Sequence, residues 1–467
     1  MNVTLSPVDL ALIALYFIAV LAIGFLTKRK PSDAAEFLLA GRSLTLPLFV
    51  MTLVSTWYGG ILGVGEFSYL YGISNWVVQG IPYYVFALLF ALFLAKKIRA
   101  TNLTTIPDQL ERAYDRRTAM LGGALTFILT TPAPYILMLG MLMHLVTGWG
   151  ILLCIFIGTA VSTVYLFFGG FRADVNTDVL EFVLMFLGFS VIIPFAYQKF
   201  GGMEFITANI PALHLTWNGG NSMQFVLVWF LIALWTLIDP AFHQRCSAAK
   251  SGEVAQKGIL VSILFWFLFD AMTATAGLYA RAALPALEQP MMAFPLLAEV
   301  TLPPVAKGLF YIGMLATIMS TLNTLTFVSA TSLGRDILWR SHRDRDGIND
   351  AQYIRWSMLA TALFSILLCV FVPSVIRQWY VIGTVVVPGL LLPVLASYFE
   401  RWKVAAGYCF AAMLLGWLTS TVWLLSGWTQ AAGSSHQYPL GIEPMFPGLL
   451  VSALVWGMGM IANGRES

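Results

Sequence analysis

Charged residues are scarce in this chain of 467 residues. Asp, Glu, Lys and Arg together make up 10% of it, whereas a soluble protein carries about 25%. Hydrophobic residues make up 59% and aromatic residues 14%. The low charge excludes a water-soluble enzyme, and the aromatic content excludes a disordered chain. The net charge of +3, without a long basic cluster, argues against nucleic acid as a partner.

Motifs of metal and nucleophilic chemistry are also missing. The four cysteines, Cys154, Cys246, Cys369 and Cys409, show no CxxC spacing, so we predict neither a disulfide framework nor a zinc site. The five histidines show no HExxH motif, and we find no convincing Gly-x-Ser-x-Gly elbow. An intramembrane enzyme is therefore a distant alternative, and we predict no catalytic residue.

Long apolar runs recur along the chain, and we find thirteen that can cross about 30 Å of hydrocarbon as α-helices. We therefore predict an all-α polytopic membrane protein with a single domain over residues 1–467. The first run is too long and wrongly charged for a cleaved signal peptide, so we expect it to stay in the membrane. The predicted spans are 8–27, 45–71, 77–98, 118–148, 151–169, 175–198, 223–242, 258–280, 305–333, 352–373, 376–399, 403–425 and 445–463.

Basic residues set the predicted orientation. With the N-terminus outside, all but four of the 26 Lys and Arg residues fall in the C-terminal tail or in gaps that face the cytoplasm. The exceptions are Lys199, Arg281, Lys307 and Arg377. We predict a multi-pass plasma-membrane protein, in bacteria of the inner membrane, with its N-terminus outside and its C-terminus in the cytoplasm.

Two predicted spans are poorly suited to a continuous helix. Residues 55–66 of the second span contain four glycines and Glu66, and each glycine costs about 1 kcal/mol of helix propensity relative to alanine. In the seventh span Pro240, after Asp239, removes a backbone hydrogen bond. Gly and Pro also serve packing and kinks in membrane helices. Interruptions at matching positions of two halves nevertheless indicate a transporter with a binding site at the membrane midplane.

Five carboxylates fall inside predicted spans, where a charged side chain costs at least about 2.5–3.5 kcal/mol. They are Glu66, Asp178, Glu181, Asp239 and Asp270. Each is a functional candidate for that reason. Asp178 and Glu181 share one helix face near the cytoplasmic end of the sixth span. They either act in transport, lie in an aqueous vestibule or pair with Arg172.

The other three carboxylates also leave alternatives open. Asp239 either lines the site or caps the half-helix that follows it. Glu66 either reaches a central cavity, where it would favour a solute bearing an amine or another cationic group, or turns toward the extracellular vestibule. The role of Asp270 stays open, since it could pair with a neighbouring hydroxyl.

The ninth span carries five polar residues in eight positions, over residues 317–324. Adjacent hydroxyls, together with carbonyls freed by a broken helix, can supply the five or six oxygens that a small cation such as sodium needs. Hydrogen bonding between helices is the alternative, at about 0.6 kcal/mol for each bond. Five polar residues exceed what that role needs.

Four stretches resemble the sodium:solute symporter family, whose members have the LeuT-type fold. The last two of the stretches given below are specific in combination. The similarity covers roughly residues 8–400. The stretches are residues 36–43, similar to the family's "aGR" loop, residues 169–178, similar to its "GG…TD" segment, residues 239–251, and Met319-Ser320-Thr321 running on to Arg335-Asp336-Ile337.

The resemblance implies a core of two inverted repeats of five helices. The repeats would lie at 45–198 and 223–399, with a peripheral first helix at 8–27 and accessory C-terminal helices at 403–463. It also implies a sodium site between the broken second span and the ninth span. Its ligands would be the carbonyl oxygens of Leu53, Thr56 and Thr317 and the hydroxyls of Ser320 and Thr321.

The resemblance further implies roles for residues near that site. Asp178 matches an acidic position on the sodium exit path or in a second sodium site, where Asn323 and Thr324 would face it. Glu181 stands where the family often has glutamine, which leaves the stoichiometry open. Gly59 and Gly60 replace the larger polar side chains of sugar-transporting members, which weakens a sugar interpretation.

We predict a sodium-coupled secondary symporter that imports a small polar organic solute by alternating access. The coupling ion is sodium, and the partners are the solute and membrane lipid. Trp57 and Trp235 are predicted gates. A proton-coupled transporter that uses Glu66, Asp178 or Glu181 is the main alternative. The predicted solute contacts, between the two helix breaks, are Ser55, Tyr58, Gly59, Gly60, Glu66 and Asp239.

Overall fold

The structure, a computed structural model, describes residues 3–27, 34–342, 350–428 and 438–466. Several basic residues that count toward the predicted orientation lie outside these ranges, namely Lys28, Arg29, Lys30, Arg343 and Arg345. Within the ranges the chain is helical, and the only β-type pairing there is an isolated bridge. The predicted all-α fold class is confirmed.

The described ranges contain twenty-one α-helices. They are α1 Pro7–Leu26, α2 Ala34–Leu39, α3 Leu46–Trp57, α4 Ile61–Tyr71, α5 Ile81–Phe93, α6 Ala95–Thr101, α7 Ile106–Ala113, α8 Arg116–Leu129, α9 Ala133–Thr147, α10 Ile151–Phe200, α11 Met203–Asn209, α12 Met223–Ile232, α13 Trp235–Ile238, α14 Pro240–Ala248, α15 Gly252–Ala283, α16 Ala293–Thr301, α17 Ala306–Thr331, α18 Asp350–Phe371, α19 Val375–Ser397, α20 Ala406–Trp428 and α21 Met445–Glu466.

These helices correspond to the predicted spans. Within the described residues, eleven helical segments are long and apolar enough to cross a membrane, and the bent pair α3 and α4 makes a twelfth span. α10 covers two predicted spans. Its backbone leaves the helical conformation at Gly170 (φ 59°, ψ −153°), which divides it into two helical segments. Counting α10 twice gives thirteen.

α17 is the central helix of the molecule. Every residue from 310 to 331 is buried, and α17 packs along the second half of α10. A Cβ atom on Gly188 would lie 2.7 Å from the Cα of Gly313, so glycines on both helices permit this close approach. The polar stretch of the ninth span therefore lies at the centre of the bundle.

A short main-chain bridge joins the two broken spans. The Leu44 N–H group, just before α3, donates a hydrogen bond to the Ala248 carbonyl at the end of α14 (3.1 Å). The Lys250 N–H group donates to the Leu44 carbonyl (3.0 Å). The Leu44–Ala249 bridge thus fastens the start of one broken span to the end of the other.

Candidate solute and ion site

The second predicted span is broken between α3 and α4, whose axes differ by 56°. Tyr58, Gly59 and Gly60 form the break. A Cβ atom on Gly59 would lie 2.1 Å from Thr321 Oγ1, and one on Gly60 would lie 2.2 Å from the ring of Trp379. Because neither contact is sterically possible, the two glycines allow α17 and α19 to approach the break.

The seventh predicted span is interrupted after Ile232 and again at Asp239, between α13 and α14. Asp239 Oδ1 accepts hydrogen bonds from the N–H groups of Ala241 (2.7 Å) and Phe242 (3.1 Å). The carboxylate therefore caps α14, as one of the two alternatives predicted. α14 continues to Ala248, beyond the predicted end of the span at residue 242.

A cavity lies between the two breaks. Its volume is about 120 Å³, taken as the space open to the centre of a water molecule. One water needs about 10–15 Å³ of such space, so a solute of on the order of ten non-hydrogen atoms fits. Three predicted solute contacts line the cavity, Tyr58, Gly60 and Asp239, and so do both predicted gates, Trp57 and Trp235.

The other predicted solute contacts lie outside the lining. Ser55 is buried, and its hydroxyl donates a hydrogen bond to the Met51 carbonyl (2.8 Å). Gly59 faces Thr321. Glu66 is half-buried, and its Oε2 atom has no hydrogen-bond partner within the described ranges. The placement of Glu66 in the cavity is therefore not seen.

Asp270 is the carboxylate that lines the cavity together with Asp239. Tyr84 donates a hydrogen bond to Asp270 Oδ2, and the Tyr58 hydroxyl donates to the Trp266 carbonyl (3.0 Å). Aromatic rings make up much of the remaining lining: Trp57, Tyr58, Tyr83, Tyr135, Trp229, Trp235, Phe242 and Trp379.

Oxygen atoms of α3 and α17 meet beside the cavity. The Thr56 carbonyl lies in the last turn of α3, where carbonyls lack a partner within the helix, and it accepts a hydrogen bond from Thr321 Oγ1. Thr321 Oγ1 also lies 3.5 Å from the Thr317 carbonyl oxygen. Three of the five predicted sodium ligands therefore share one point, and Leu53 lines the cavity nearby.

The remaining predicted ligand, Ser320, points to Asp178. Ser320 Oγ donates to Asp178 Oδ1, and Thr52 Oγ1 donates to Asp178 Oδ2. Asp178 is fully buried and lies eight residues beyond the break at Gly170. Because the side chain is fully buried, the alternative that places Asp178 in an aqueous vestibule is wrong.

Arg172, the partner that one alternative predicts for these two acids, pairs with Glu36 instead. Arg172 Nε lies 2.6 Å from Glu36 Oε1, and both side chains are about one quarter exposed. The alternative in which Asp178 and Glu181 pair with Arg172 is therefore wrong.

A different arginine occupies the space beside Asp178. Arg245, which the orientation count assigned to a cytoplasmic loop, is fully buried on α14. That assignment is wrong, because α14 carries the side chain inward. The Arg245 Nη2 atom contacts five side chains: Thr56 Oγ1 at 2.6 Å, Thr324 Oγ1 at 2.8 Å, Thr52 Oγ1 at 2.9 Å, Asp178 Oδ2 at 3.4 Å and Asp174 Oδ2 at 3.7 Å.

The two residues predicted to face Asp178 bond elsewhere. Thr324 Oγ1 donates to Asp174 Oδ2 (2.7 Å). The Asn323 side chain accepts a hydrogen bond from Ser162 (2.7 Å) and donates one to Tyr165.

Two buried carboxyl groups of α10, those of Asp174 and Asp178, therefore contact one guanidinium, and a third buried carboxyl group, that of Glu181, lies on the same helix. Glu181 Oε1 accepts a hydrogen bond from Tyr16 (3.1 Å), while Glu181 Oε2 and Asp174 Oδ1 have no partner within the described part of the chain. No group of three His, Cys, Asp or Glu side chains among the described residues is arranged to hold a metal ion.

Sequence reasoning missed Asp174 and Arg245. Asp174 precedes Asp178 by four residues, so the same helical spacing that joined Asp178 to Glu181 predicts it. The burial of Arg245 is harder to predict from the sequence. It depends on the continuation of α14 past Phe242, which places Arg245 on a buried helix instead of in a loop.

The stretches that resemble the symporter family converge in space. Gln244 Nε2 donates to the Leu38 carbonyl (3.0 Å), and Arg42 Nη1 donates to the Ser247 carbonyl (3.0 Å). These contacts join the first stretch to the third. Asp178 joins the second stretch to the fourth through its bond with Ser320.

Comparison with known proteins identifies the family. The family model described as "Sodium:solute symporter family" matches residues 37–416. The chain belongs to the sodium:solute symporter family. This membership makes it a membrane transporter, in agreement with the convergent stretches and the apolar helices.

Relatives in the sodium:solute symporter family match along almost their whole length. The osmoregulated proline transporter OpuE of Bacillus subtilis is 25% identical over 95% of this chain and 94% of its own. The sodium/pantothenate symporter of Escherichia coli is 26% identical, with the same coverage of both chains. A solved Na⁺-coupled sialic acid symporter superposes with a TM-score of 0.79 at 16% identity, covering 98% of this chain and 97% of its own, which confirms the LeuT-type fold.

Proposed function

We propose that this member of the sodium:solute symporter family imports a small polar organic solute, driven by sodium, through alternating access across a plasma membrane. The N-terminus would lie outside and the C-terminus in the cytoplasm. The inverted repeats would be residues 45–198 and 223–399. The observation that carries the proposal is the meeting of two carbonyl oxygens and one hydroxyl at the break of α3.

The proposed sodium position joins the break to the central helix. The Thr56 carbonyl, the Thr317 carbonyl and Thr321 Oγ1 supply oxygens without a full negative charge, as suits a cation that must bind and leave. When the Thr321 hydroxyl turns its proton away, its lone pair becomes available to the ion. Leu53 and Ser320 would complete the set, Ser320 by exchanging its bond to Asp178 for the ion.

Sodium in this position would hold α3 against α17. An ion that binds one conformation better raises solute affinity in that conformation by a coupling free energy, typically about 1–3 kcal/mol. The membrane potential adds about 2.3 kcal/mol for each charge moved across 100 mV. The cavity borders Thr56 and Thr321, so the solute and the ion would share one wall.

The test is solute uptake into proteoliposomes at fixed pH, with either a sodium gradient or none. Thr321→Ala removes the proposed hydroxyl ligand, and we expect it to abolish the sodium stimulation of uptake. Thr163→Ala is the matched control, because Thr163 is also buried but, among the residues that the structure describes, bonds only to the Thr159 carbonyl of its own helix (2.7 Å). Unaltered sodium stimulation in Thr321→Ala would contradict the site.

Proton coupling is a second candidate, favoured by the three buried carboxyl groups of α10, Asp174, Asp178 and Glu181. A buried unpaired carboxylate is costly, and such a group normally stays neutral by holding a proton. Asp174 and Glu181 each have one buried oxygen without a partner in the described ranges. Uptake driven by an imposed pH gradient without sodium, and lost in Glu181→Gln, would favour this candidate over sodium coupling.

A further inference from the structure

We propose that the transported solute carries a positively charged ammonium group, which lies against the aromatic rings of the cavity with Asp270 as its counter-charge. This inference rests on the proposed transport function and specifies its substrate class. Three observations support it: the sign of the charges at the cavity, the condition of each carboxylate there, and the aromatic lining.

The charged residues of the lining have one sign. They are Asp239 and Asp270, and the lining includes no Lys, Arg or His among the described residues. The nearby Arg245 contacts the cavity residue Thr56 through its hydroxyl, and its charge already faces Asp178 and Asp174. An anionic solute would therefore meet two carboxyl groups and no free cation.

The two carboxylates are not equivalent. Asp239 Oδ1 is bonded to two backbone N–H groups at the start of α14, which also occupies the helix end where a solute carboxylate would otherwise bind. Asp270 has a tyrosine partner, Tyr84, and no ion pair within the described chain. Its side chain is only 6% exposed. Asp270 therefore has no counter-charge within the described chain, and a cationic solute can supply one.

The lining also suits the apolar surface of a substituted ammonium. Eight of its nineteen residues are aromatic. Trp57 lies at the centre of a ring cluster, with centroids 5.0 Å from Tyr83 and 5.2 Å from Phe242. A cation over such faces is attracted by the ring quadrupole, most strongly when desolvated. A sugar, in contrast, needs many paired hydroxyls, and the uncharged polar side chains of the lining besides tyrosine are Thr56, Gln79 and Thr321.

The decisive experiment uses solutes of equal shape and different charge. The probes are choline and its uncharged carbon isostere, 3,3-dimethyl-1-butanol, with glycine betaine and L-proline as zwitterions and glucose and pantothenate as neutral and anionic solutes. Binding is measured on the purified full chain with sodium present, by thermal stabilisation and by calorimetry. We expect an ammonium-bearing probe to bind, and choline to bind at least about 30-fold tighter than its isostere, which is about 2 kcal/mol.

Variants separate the counter-charge from general packing. Asp270→Asn keeps the shape of the side chain and should weaken ammonium binding at least about tenfold. Glu66→Gln is the matched control, because Glu66 is a carboxylate outside the lining, and it should leave ammonium binding unchanged. If Asp270→Asn does not fold, the comparison of choline with its isostere still tests the charge on the unmodified protein.

The substrate class and the transport function fail in different ways. Sodium-driven uptake of glucose or pantothenate, with no binding of the ammonium probes, would overturn the ammonium assignment and leave sodium symport intact. Binding of an ammonium probe that is unaffected by sodium, without sodium-driven uptake, would support the ammonium assignment and overturn the proposed coupling. Equal affinity for choline and its isostere would overturn the assignment as well.

Discussion

Removal of the buried guanidinium of Arg245 should be among the most damaging single substitutions in the molecule. Arg245→Met keeps an unbranched side chain but leaves Asp178 and Asp174 without their cation and three threonine hydroxyls without their donor. Breaking a buried ion pair by removing one partner costs about 3–5 kcal/mol, because a charge stays buried without compensation. We expect a loss of this size in the free energy of unfolding.

A double-mutant cycle identifies the cause of that loss. Asp178→Asn removes one of the uncompensated charges, so the double variant should be less destabilised than the sum of the two single variants by about 0.5–3 kcal/mol. The assay is equilibrium unfolding of the purified protein in mixed micelles. Arg172→Met is the control, because its ion pair with Glu36 is partly exposed and should contribute only about 0.2–1 kcal/mol. If Arg245→Met costs no more than the control, or if the two substitutions are additive, the network does not hold α3, α10 and α14 together as described.

Two further predictions concern close packing and pH. Gly59→Ala should push the helix break off Thr321 and lower uptake at normal expression, at a cost of about 1–3 kcal/mol in stability, whereas Gly457→Ala, with no heavy atom within 4 Å of the added carbon, should change neither measurement. Burial alone raises the pKa of the Asp108 carboxyl, but Arg335 and Arg340 hold that pKa well below its usual range. The ionised carboxylate should therefore stabilise the fold fully above about pH 4, and this stabilisation should be lost at lower pH. Between pH 7 and pH 3 the melting temperature should accordingly fall less in Asp108→Asn, which is less stable at pH 7, than in the unmodified protein. An equal fall in both proteins would contradict the assignment.

The helix breaks could be predicted from the sequence because their causes are local. Glycine lowers helix propensity wherever it stands, and Pro240 removes a backbone donor whatever surrounds it. The thirteen spans follow from the length of apolar runs in the same way. The polar residues of α17 can be recognised as a group from the sequence, since hydroxyls in an otherwise apolar helix are visible without knowledge of the neighbours.

The partners of these residues could not be predicted in this way. Tyr84 and Asp270 bond across 186 positions of the chain, and no periodicity joins them. Glu66 was expected in the cavity because it follows the glycines, but the direction of its side chain depends on how α4 is rotated against its neighbours. The inward turn of Arg245 likewise depends on the packing of α14.

The Leu44–Ala249 bridge limits how the transporter can move. The start of α3 and the end of α14 share main-chain hydrogen bonds. These two helix ends therefore cannot slide past each other without breaking backbone pairing. In the proposed alternating access, rotation would then take place at the helix breaks, Tyr58–Gly60 and Asp239. The solute and the ion would then lie between these two helix breaks, where a small displacement of either would change the access to the cavity from both sides.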